Sequence, residues 1–411
     1  MTASTSVPTA QSSAPITSAA RFPIGALLLL GFAVFVTVTA ESLPAGLLPE
    51  MVEGLDTDPL GVGLLISVWA VTVIATSLPL ARLTARLDRR LVVGVALAAF
   101  AAANLATALA PTYEAALATR VAAAVAHGLF WAIVIVYASS MLADSHLGRG
   151  LAIVTAGGTV ATLAGLPAGA FIAQLLDWRW AFAALAAVAL LLAVVIVVAL
   201  PAAPPGPRAV TDAVRTSVWR DPSIVPIALF AGAALVFALG QFASFTYVRP
   251  FLETAAGVPA AQVPLVLFGY GVAGLVGAAA AGVLADRWPR GSLVVVLAAE
   301  AVAFGILTVA AHVPGAMFVG LAVWGFGVGA FFPLQQSLLM RVATDRTRTL
   351  ASAGIVVVFN VGIAVGPWLG GTVGGAADPT ATTALSAAAI AAAAVFAVAG
   401  LIVTRRQSTS R

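Results

Sequence analysis

The sequence predicts an all-α integral membrane protein with twelve transmembrane helices, and three observations support this prediction. Of the 411 residues, 61% are hydrophobic and only 9% are charged, whereas soluble domains are about 25% charged. The mean hydropathy is +1.07. Apolar stretches of about 20 residues, each long enough to cross a bilayer core of roughly 30 Å, recur along the whole chain.

Hydrophobic runs separated by short polar segments define the predicted spans. These spans cover residues 24–46, 60–81, 91–110, 114–141, 150–174, 180–200, 223–248, 262–285, 291–311, 315–340, 350–374 and 380–404. Because the number of spans is even, both ends of the chain are expected on one side of the membrane.

Two six-helix halves are predicted, residues 22–200 and 223–404, each forming one bundle. Residues 1–21 contain no acidic residue and a single arginine at the end, and they predict a disordered tail rather than a signal peptide. Residues 201–222 begin with a proline-rich run and predict a linker, and residues 405–411 a second tail. The segments RLTARLDRR (82–90) and VLADRWPR (283–290) form a weak repeat about 200 residues apart, as in the duplicated halves of transporters.

Arginine positions predict the orientation. All twenty basic residues are arginines, which explains the pI near 10.3 without a nucleic-acid partner. Seventeen of them lie on the side predicted to hold the termini, Arg179 and Arg249 lie on the other, and Arg120 lies inside a predicted span. Since cytoplasmic loops retain positive charge, the termini and the even-numbered loops are predicted to be cytoplasmic in a cell (inner or plasma) membrane protein.

The sequence lacks the motifs of several other functional classes. There is no cysteine, which excludes disulfides and thiolate metal sites. It contains no phosphate-binding loop, zinc-type histidine spacing or nucleophile triad. We therefore expect no enzyme activity, no cofactor and no metal. We also expect that any transport by this protein is driven by an ion gradient rather than by ATP.

The fifth predicted span contains the segment GGTVATLAGLPAGA at residues 157–170, which is dense in small residues. Small residues allow a second helix to approach closely, and a proline permits a bend. The residues concerned are Gly157, Gly158, Gly165, Pro167 and Gly169. On its own, this pattern is equally consistent with ordinary close packing of membrane helices.

Four further segments stand out: AESLPAGLLPEM (40–51), AHGLFWA (126–132), GLPAGAFIAQLLDWRWAF (165–182) and FTYVRPFL (245–252). With the segment 157–169, which resembles the antiporter signature of the major facilitator superfamily, they make the chain resemble that superfamily from about residue 22 to residue 404. Within the superfamily, the chain looks like the drug and sugar efflux branch, which includes arabinose, sugar-efflux and chloramphenicol exporters. The resemblance implies the major facilitator fold, a monomer, and export rather than import.

The superfamily's loop signature after the second helix is only partly present. The first copy has Arg86, Arg89 and Arg90 but Ala85 in place of the acid. The second copy retains the acid, with Asp286, Arg287 and Arg290. The resemblance implies that these charges pair between helix ends and act in gating. Alternatively, the first cluster serves only as a positive-inside anchor.

Glu41 is the first acidic residue inside a predicted span, and Thr37 shares its face of the helix. Ionisable groups at membrane depth are costly and usually face an aqueous cavity. A carboxylic acid in a poorly solvated cavity favours its neutral form, so it can take up and release a proton. In the efflux branch an acid at this place resembles the protonation site. The alternative is that Glu41 lies at the level of the outer headgroups.

The fourth predicted span carries Arg120, His127 and Trp131, which fall on one helical face. Arg120 matches the arginine of the superfamily's fourth-helix signature, and a permanently charged guanidinium can hold a substrate dipole or tune a nearby acid. His127 can relay a proton or hydrogen-bond a substrate. A purely structural role for this histidine remains open.

Polar residues in the second half are further candidates. The resemblance places the seventh and eleventh helices beside the cavity, so Gln241 and Asn360 are predicted substrate contacts. Glu300 lies on the ninth helix, which is usually peripheral to the cavity. Simple hydrogen bonding between helices would account for each of these residues equally well.

The function that the sequence favours is proton-coupled efflux of a small organic solute by alternating access, with protons, the solute and the lipid bilayer as the only partners. Glu41 and His127 are the predicted proton-coupling residues. The alternatives are a sugar uptake symporter or facilitator and, from a different class, a non-transporting receptor or an intramembrane enzyme.

Overall fold

The computed structural model describes residues 22–143, 146–202, 221–344 and 347–409. Within these ranges the chain is helical and contains no β-strand, and twelve helices are long and apolar enough to cross a membrane. The predicted all-α membrane fold with twelve spans is therefore confirmed. The N-terminal tail at 1–21 and most of the predicted linker lie outside the described residues.

The first half contains six spanning helices, with a short helix, Leu48–Gly54, after the first of them. Their bounds are α1 Ile24–Gly46, α2 Pro59–Thr84, α3 Arg89–Ala108, α4 Tyr113–Ser140, α5 in three consecutive pieces (Leu147–Val160, π-helical Ala161–Gly165 and Leu166–Leu175) and α6 Trp178–Ala199. The π-helical turn of α5 comes directly before Pro167, whose missing N–H interrupts the normal ladder.

The second half repeats this arrangement, with short irregular helical turns between its first two spanning helices. The bounds are α7 Ile224–Phe245, α8 Val263–Arg287, α9 Ser292–Ala310, α10 Pro314–Val342, α11 Arg348–Val373 and α12 Pro379–Thr409. The last helix continues past the predicted edge at 404. Because consecutive spans alternate in direction, α1 begins and α12 ends on the same side, called here the termini side; the other is the far side.

Short polar side chains determine where several helices begin. Asp58 accepts a hydrogen bond from the Gly61 amide at 2.6 Å, directly before α2. Asp88, Thr112 and Asp177 bond in the same way to amides in the first turns of α3, α4 and α6. These caps satisfy amides that lack an intrahelical partner, so the loop acids and threonines define the helix starts.

The two halves pack by corresponding helices. Within the first half α3 packs on α4 and α6, and α1 packs on α5; in the second half α9 packs on α10 and α12, and α7 packs on α11 and α12. The halves meet along two seams, α2 against α11 and α5 against α8. At the second seam Gly271 lies so close to the backbone of Leu163 that a side chain at this position would collide with it.

Candidate functional site

A proline in α1 creates a binding point for an arginine of α4. Pro44 has no N–H, so the carbonyl of Ala40, four residues earlier, loses its usual helical donor. Arg120 Nη1 donates to this carbonyl at 2.9 Å, and Arg120 Nη2 donates to the carbonyl of Glu41 at 3.3 Å. The guanidinium thus replaces the missing donor and fixes α4 to α1 beside Glu41.

Two aromatic rings lie close to the Arg120 guanidinium. Its Cζ lies 4.0 Å from the centre of the Trp69 ring and 5.6 Å from that of Phe182. The side chain is fully buried. Cation–π contacts of this kind stabilise a desolvated cation, so α2 and α6 help hold a permanent positive charge in the first half.

Glu41 and His127 face each other within this cluster. Their Oε2 and Nε2 atoms are 3.6 Å apart, and the side chains are 18% and 5% exposed respectively. This distance is longer than a hydrogen bond, so a small shift of either side chain would be enough to form a hydrogen bond between them. His127 also packs edge-on against Trp69, at 5.1 Å between ring centres. The carboxyl group therefore faces α4 inside the bundle.

Protonation of Glu41 would change the charge of this cluster. With Glu41 ionised and His127 neutral, the carboxylate balances the Arg120 charge, because the arginine stays protonated in proteins. When Glu41 takes up a proton, the guanidinium is left uncompensated apart from its carbonyls and the Trp69 ring. The residue types of this cluster are therefore chemically able to bind and release one proton, and His127 lies next to the carboxyl group.

The remaining predicted cavity residues of this region have varied environments. Thr37 is buried and donates to the Val34 carbonyl at 3.1 Å. The Trp131 ring centre lies 6.3 Å from that of His127. In the other half, Asn360 Nδ2 donates to Val356 of its own helix at 2.9 Å. Their contacts with a substrate stay predictions.

Gln241 of α7 and Glu300 of α9 meet inside the second half, so hydrogen bonding between helices, the alternative left open for both residues, is observed; contact of Gln241 with a substrate stays a prediction. The Gln241 amide donates to Glu300, and Trp324 Nε1 donates to the Gln241 carbonyl oxygen at 2.5 Å. Glu300 is fully buried. This pairing could not be predicted from the sequence, because periodicity does not show which neighbouring helix a buried residue faces.

The glycines of α5 bring that helix against α1. A side chain at Gly157 would collide with the carbonyl of Gly31, and one at Gly165 would collide with Thr39. Gly169 lies in the same way against Leu43, and Pro167 is buried. By contrast, a Cβ at Gly158 would find no atom nearer than 3.9 Å. Most of the predicted antiporter-like segment therefore packs against the helix that carries Glu41.

Gly157→Ala is expected to destabilise the protein by about 1–3 kcal/mol, the usual cost of overpacking. The reason is that two backbones, rather than a flexible side chain, meet at this point. Thermal unfolding in detergent measures the stability. Gly158→Ala is the matched control because its Cβ has space. Equal behaviour of the two variants would show that the close approach of α1 and α5 does not matter.

An arginine on the far side links the two halves. Arg249 Nη2 lies 2.5 Å from a carboxylate oxygen of Glu50, and its Nη1 donates to the Gly46 carbonyl at 3.1 Å. Its Nε also pairs with Glu253 at 2.9 Å. Glu50 and Gly46 belong to the first half, so Arg249 bridges across the far side. The sequence signal for this role was that Arg249 lies on the side of the membrane that has only two arginines.

Further contacts on the far side also hold the two halves together. Gln174 Nε2, at the end of α5, donates to the carbonyl of Ala260 at 2.6 Å. Tyr247 donates to the Pro367 carbonyl at 3.0 Å and lies against Gly63 of α2. The halves are thus joined at the far side by an ion pair, by backbone acceptors and by packing.

The predicted gating loops are weakly connected in this conformation. Asp286 and Arg341 are 3.9 Å apart and largely exposed, and such surface pairs contribute at most about 1 kcal/mol. Arg90 donates to the carbonyl of Leu200 at 3.2 Å. Arg86, Arg287 and Arg290 are exposed, and Arg89 is half-buried. Their part in gating stays a prediction.

Comparisons with known proteins agree with this architecture. A family model described as the Major Facilitator Superfamily matches residues 30–297 and 232–411. A chloramphenicol efflux pump from Mycobacterium tuberculosis is 31% identical over 353 residues, covering 84% of each chain. A probable sugar efflux transporter from Helicobacter pylori is 28% identical, covering 86% of this chain and 89% of that one.

Solved structures show the same fold at lower sequence identity. A bacterial homologue of the human lysosomal transporter Spinster superposes with a TM-score of 0.71 at 16% identity, covering 93% of this chain and 97% of that one. The nucleoside transporter NupG superposes with a TM-score of 0.73 at 14% identity, covering 92% and 99%.

Proposed function

The chain belongs to the major facilitator superfamily, and from this premise we propose that it exports a small organic solute in exchange for protons. The observation that supports the proposal is the cluster of Glu41, His127 and Arg120, in which a carboxyl group lies next to a histidine and a buried arginine inside the first bundle. Ionisable groups at membrane depth are retained mainly for function.

The arginine bias supports an orientation for the transporter. We propose that the termini side faces the cytoplasm of the inner or plasma membrane, because seventeen of the twenty arginines belong to its loops and tails. The far side, with the bridge from Arg249 to Glu50, then faces outward. In this proposed orientation the contacts of Arg249 close the outer side, and a monomer loads its solute from the cytoplasm.

Arg249 serves as the outer gate in this proposal. Arg249→Gln is expected to open the far side by removing the bridge to Glu50 and Gly46. Since the chain has no native cysteine, a single cysteine at Ser42, next to Glu41, can report access. We expect an impermeant thiol reagent added from outside to label it faster in the Arg249→Gln background.

Arg179→Gln is the control for this test. Arg179 is the other arginine of the far side, but it donates to the carbonyls of Gly54 and Ala110, both in its own half. It should leave the labelling rate unchanged. An equal increase in both variants, or none in Arg249→Gln, would contradict the gate.

Transport in everted membrane vesicles tests the proposed function directly. Chloramphenicol is the first solute to try, because that is what a relative's name states, and arabinose represents the sugar exporters. In energised vesicles, an exporter should accumulate the solute in the acidic lumen and release protons from it. Uptake by intact cells instead would favour the symporter or facilitator, and no movement in proteoliposomes would favour a non-transporting receptor.

A further inference from the structure

The internal repeat relates the Glu41 cluster to a second cluster in the other half. Positions shifted by about 200 residues correspond in the two halves, as the loop repeat already indicates. The counterparts of Glu41, Trp69, Phe100 and His127 are Gln241, Tyr270, Glu300 and Gly327. In each half these four residues lie in the first four helices of the bundle. The second half therefore also has a carboxyl group at this level, but on its third helix.

Hydrogen bonding determines how this second cluster is arranged. The indole N–H of Trp324 can only donate, so the Gln241 oxygen must face it and the Gln241 nitrogen must face Glu300. Glu300 Oε1 is then an acceptor in this bond. Any proton on the carboxyl group must sit on the other oxygen, Oε2.

Glu300 Oε2 has no hydrogen-bond partner in the described structure and is fully buried. Gly327 lies against this end of the carboxyl group, where a larger residue would collide with it. The glycine occupies the position of His127 in the first half. The space that the histidine fills there is thus taken here by the acid itself.

No cation balances Glu300 among the described residues. Gln241 of α7 and Trp324 of α10 are uncharged, and Tyr270 of α8 is the titratable group that interacts with it. From α12, Thr383 forms a hydrogen bond with Thr308 of α9, at 3.0 Å, and both side chains are uncharged. A carboxylate enclosed by apolar and neutral groups at membrane depth is strongly disfavoured.

We propose that Glu300 is a second proton-binding site, occupied in this conformation by a proton on Oε2 and emptied when the second half rearranges. The protein then carries one exchangeable carboxyl group in each of its two bundles. The proton on Glu300 needs no ion-pair partner, whereas Glu41 is ionised or neutral beside Arg120. Use of this proton in transport rests on the proposed antiport; its presence on Glu300 does not.

Infrared difference spectroscopy of the reconstituted protein tests the occupancy without any solute. A neutral carboxylic acid has a C=O stretch separate from the carboxylate bands. At neutral pH we expect such a band in the wild type, lost in Glu300→Gln and retained in Glu114→Gln, whose side chain is exposed on α4. Retention of the whole band in folded Glu300→Gln would overturn the proposal.

A second variant covers the case in which Glu300→Gln does not fold. Gln241→Leu removes the one donor to Glu300 Oε1 found among the described residues, so the acid band should move to higher frequency. An unmoved band in folded Gln241→Leu would also overturn the proposal.

Proton counting in proteoliposomes tests the transport role. With chloramphenicol or arabinose as the transported probe, Glu300→Gln should move fewer protons per solute than the wild type. An unchanged ratio would mean that Glu300 is a permanently protonated structural acid. It would overturn the proposal that Glu300 exchanges its proton during transport. If no solute moves protons in the wild type, the antiport proposal fails while the infrared result still stands by itself.

Discussion

Glu41→Gln is expected to abolish uphill export while preserving downhill exchange of the same solute. Glutamine keeps the size and polarity of the side chain but cannot release a proton, so the cluster would stay in the state that resembles protonated Glu41. Energised everted vesicles measure uphill accumulation, and counterflow in proteoliposomes without a gradient measures exchange.

Glu114→Gln provides the comparison for this variant, since it makes the same chemical change at an exposed position of α4. It should transport as the wild type does. Uphill accumulation by Glu41→Gln at the wild-type rate would exclude Glu41 from coupling, and loss of exchange together with accumulation would indicate a binding or folding defect instead.

Arg120→Lys is expected to cost stability and export together, although it keeps the positive charge. Lysine cannot reproduce the planar fork that reaches two carbonyls at once. Leaving a buried carbonyl such as that of Ala40 without a donor costs about 1–3 kcal/mol. The flat cation over Trp69 would also be lost. Thermal unfolding in detergent and vesicle accumulation measure the two effects.

Arg179→Lys makes the same substitution in a setting that should tolerate it, because Arg179 is partly exposed. One of its two carbonyl partners, that of Gly54, belongs to an exposed residue, where water can replace the lost donor. We expect a smaller loss of stability than in Arg120→Lys. Similar losses of stability for both variants would mean that the hydrogen bonds from Arg120 are not needed to stabilise α1 at Pro44.

The fold could be predicted from the sequence because each span has a length and an apolar composition that the bilayer imposes. The predicted bounds of the first span, residues 24 and 46, are the observed bounds of α1, Ile24–Gly46. The end of α12 was less predictable, since Arg405 and Arg406 extend the helix to Thr409 rather than terminate it. Charged residues at a membrane surface set the depth of a helix, but they do not break it.

The first-half site was partly predictable because its residues follow from local patterns. Arg120 and His127 share a helical face, and Pro44 identifies a free carbonyl one turn earlier in α1. That Arg120 reaches this carbonyl depends on how α4 packs on α1, which the sequence does not show. The same limit hid the pairing of Gln241 with Glu300.

Arg249 shows a different limit of sequence reasoning. Its position on the far side was predicted, and as one of two exceptions to the charge bias it stood out. Its partner Glu50 lies almost 200 residues away, in an acidic loop with several equivalent carboxylates. Only the docking of the two halves selects which of them receives the guanidinium.

The most direct measurement is the number of protons released when a transported solute binds to purified protein in weakly buffered detergent solution. Chloramphenicol is the first probe, and a pH indicator gives the readout. If solute and proton exclude each other at the Glu41 cluster, the wild type releases protons on binding and Glu41→Gln, still binding the solute, releases fewer. Equal proton release by the two proteins would contradict the mechanism.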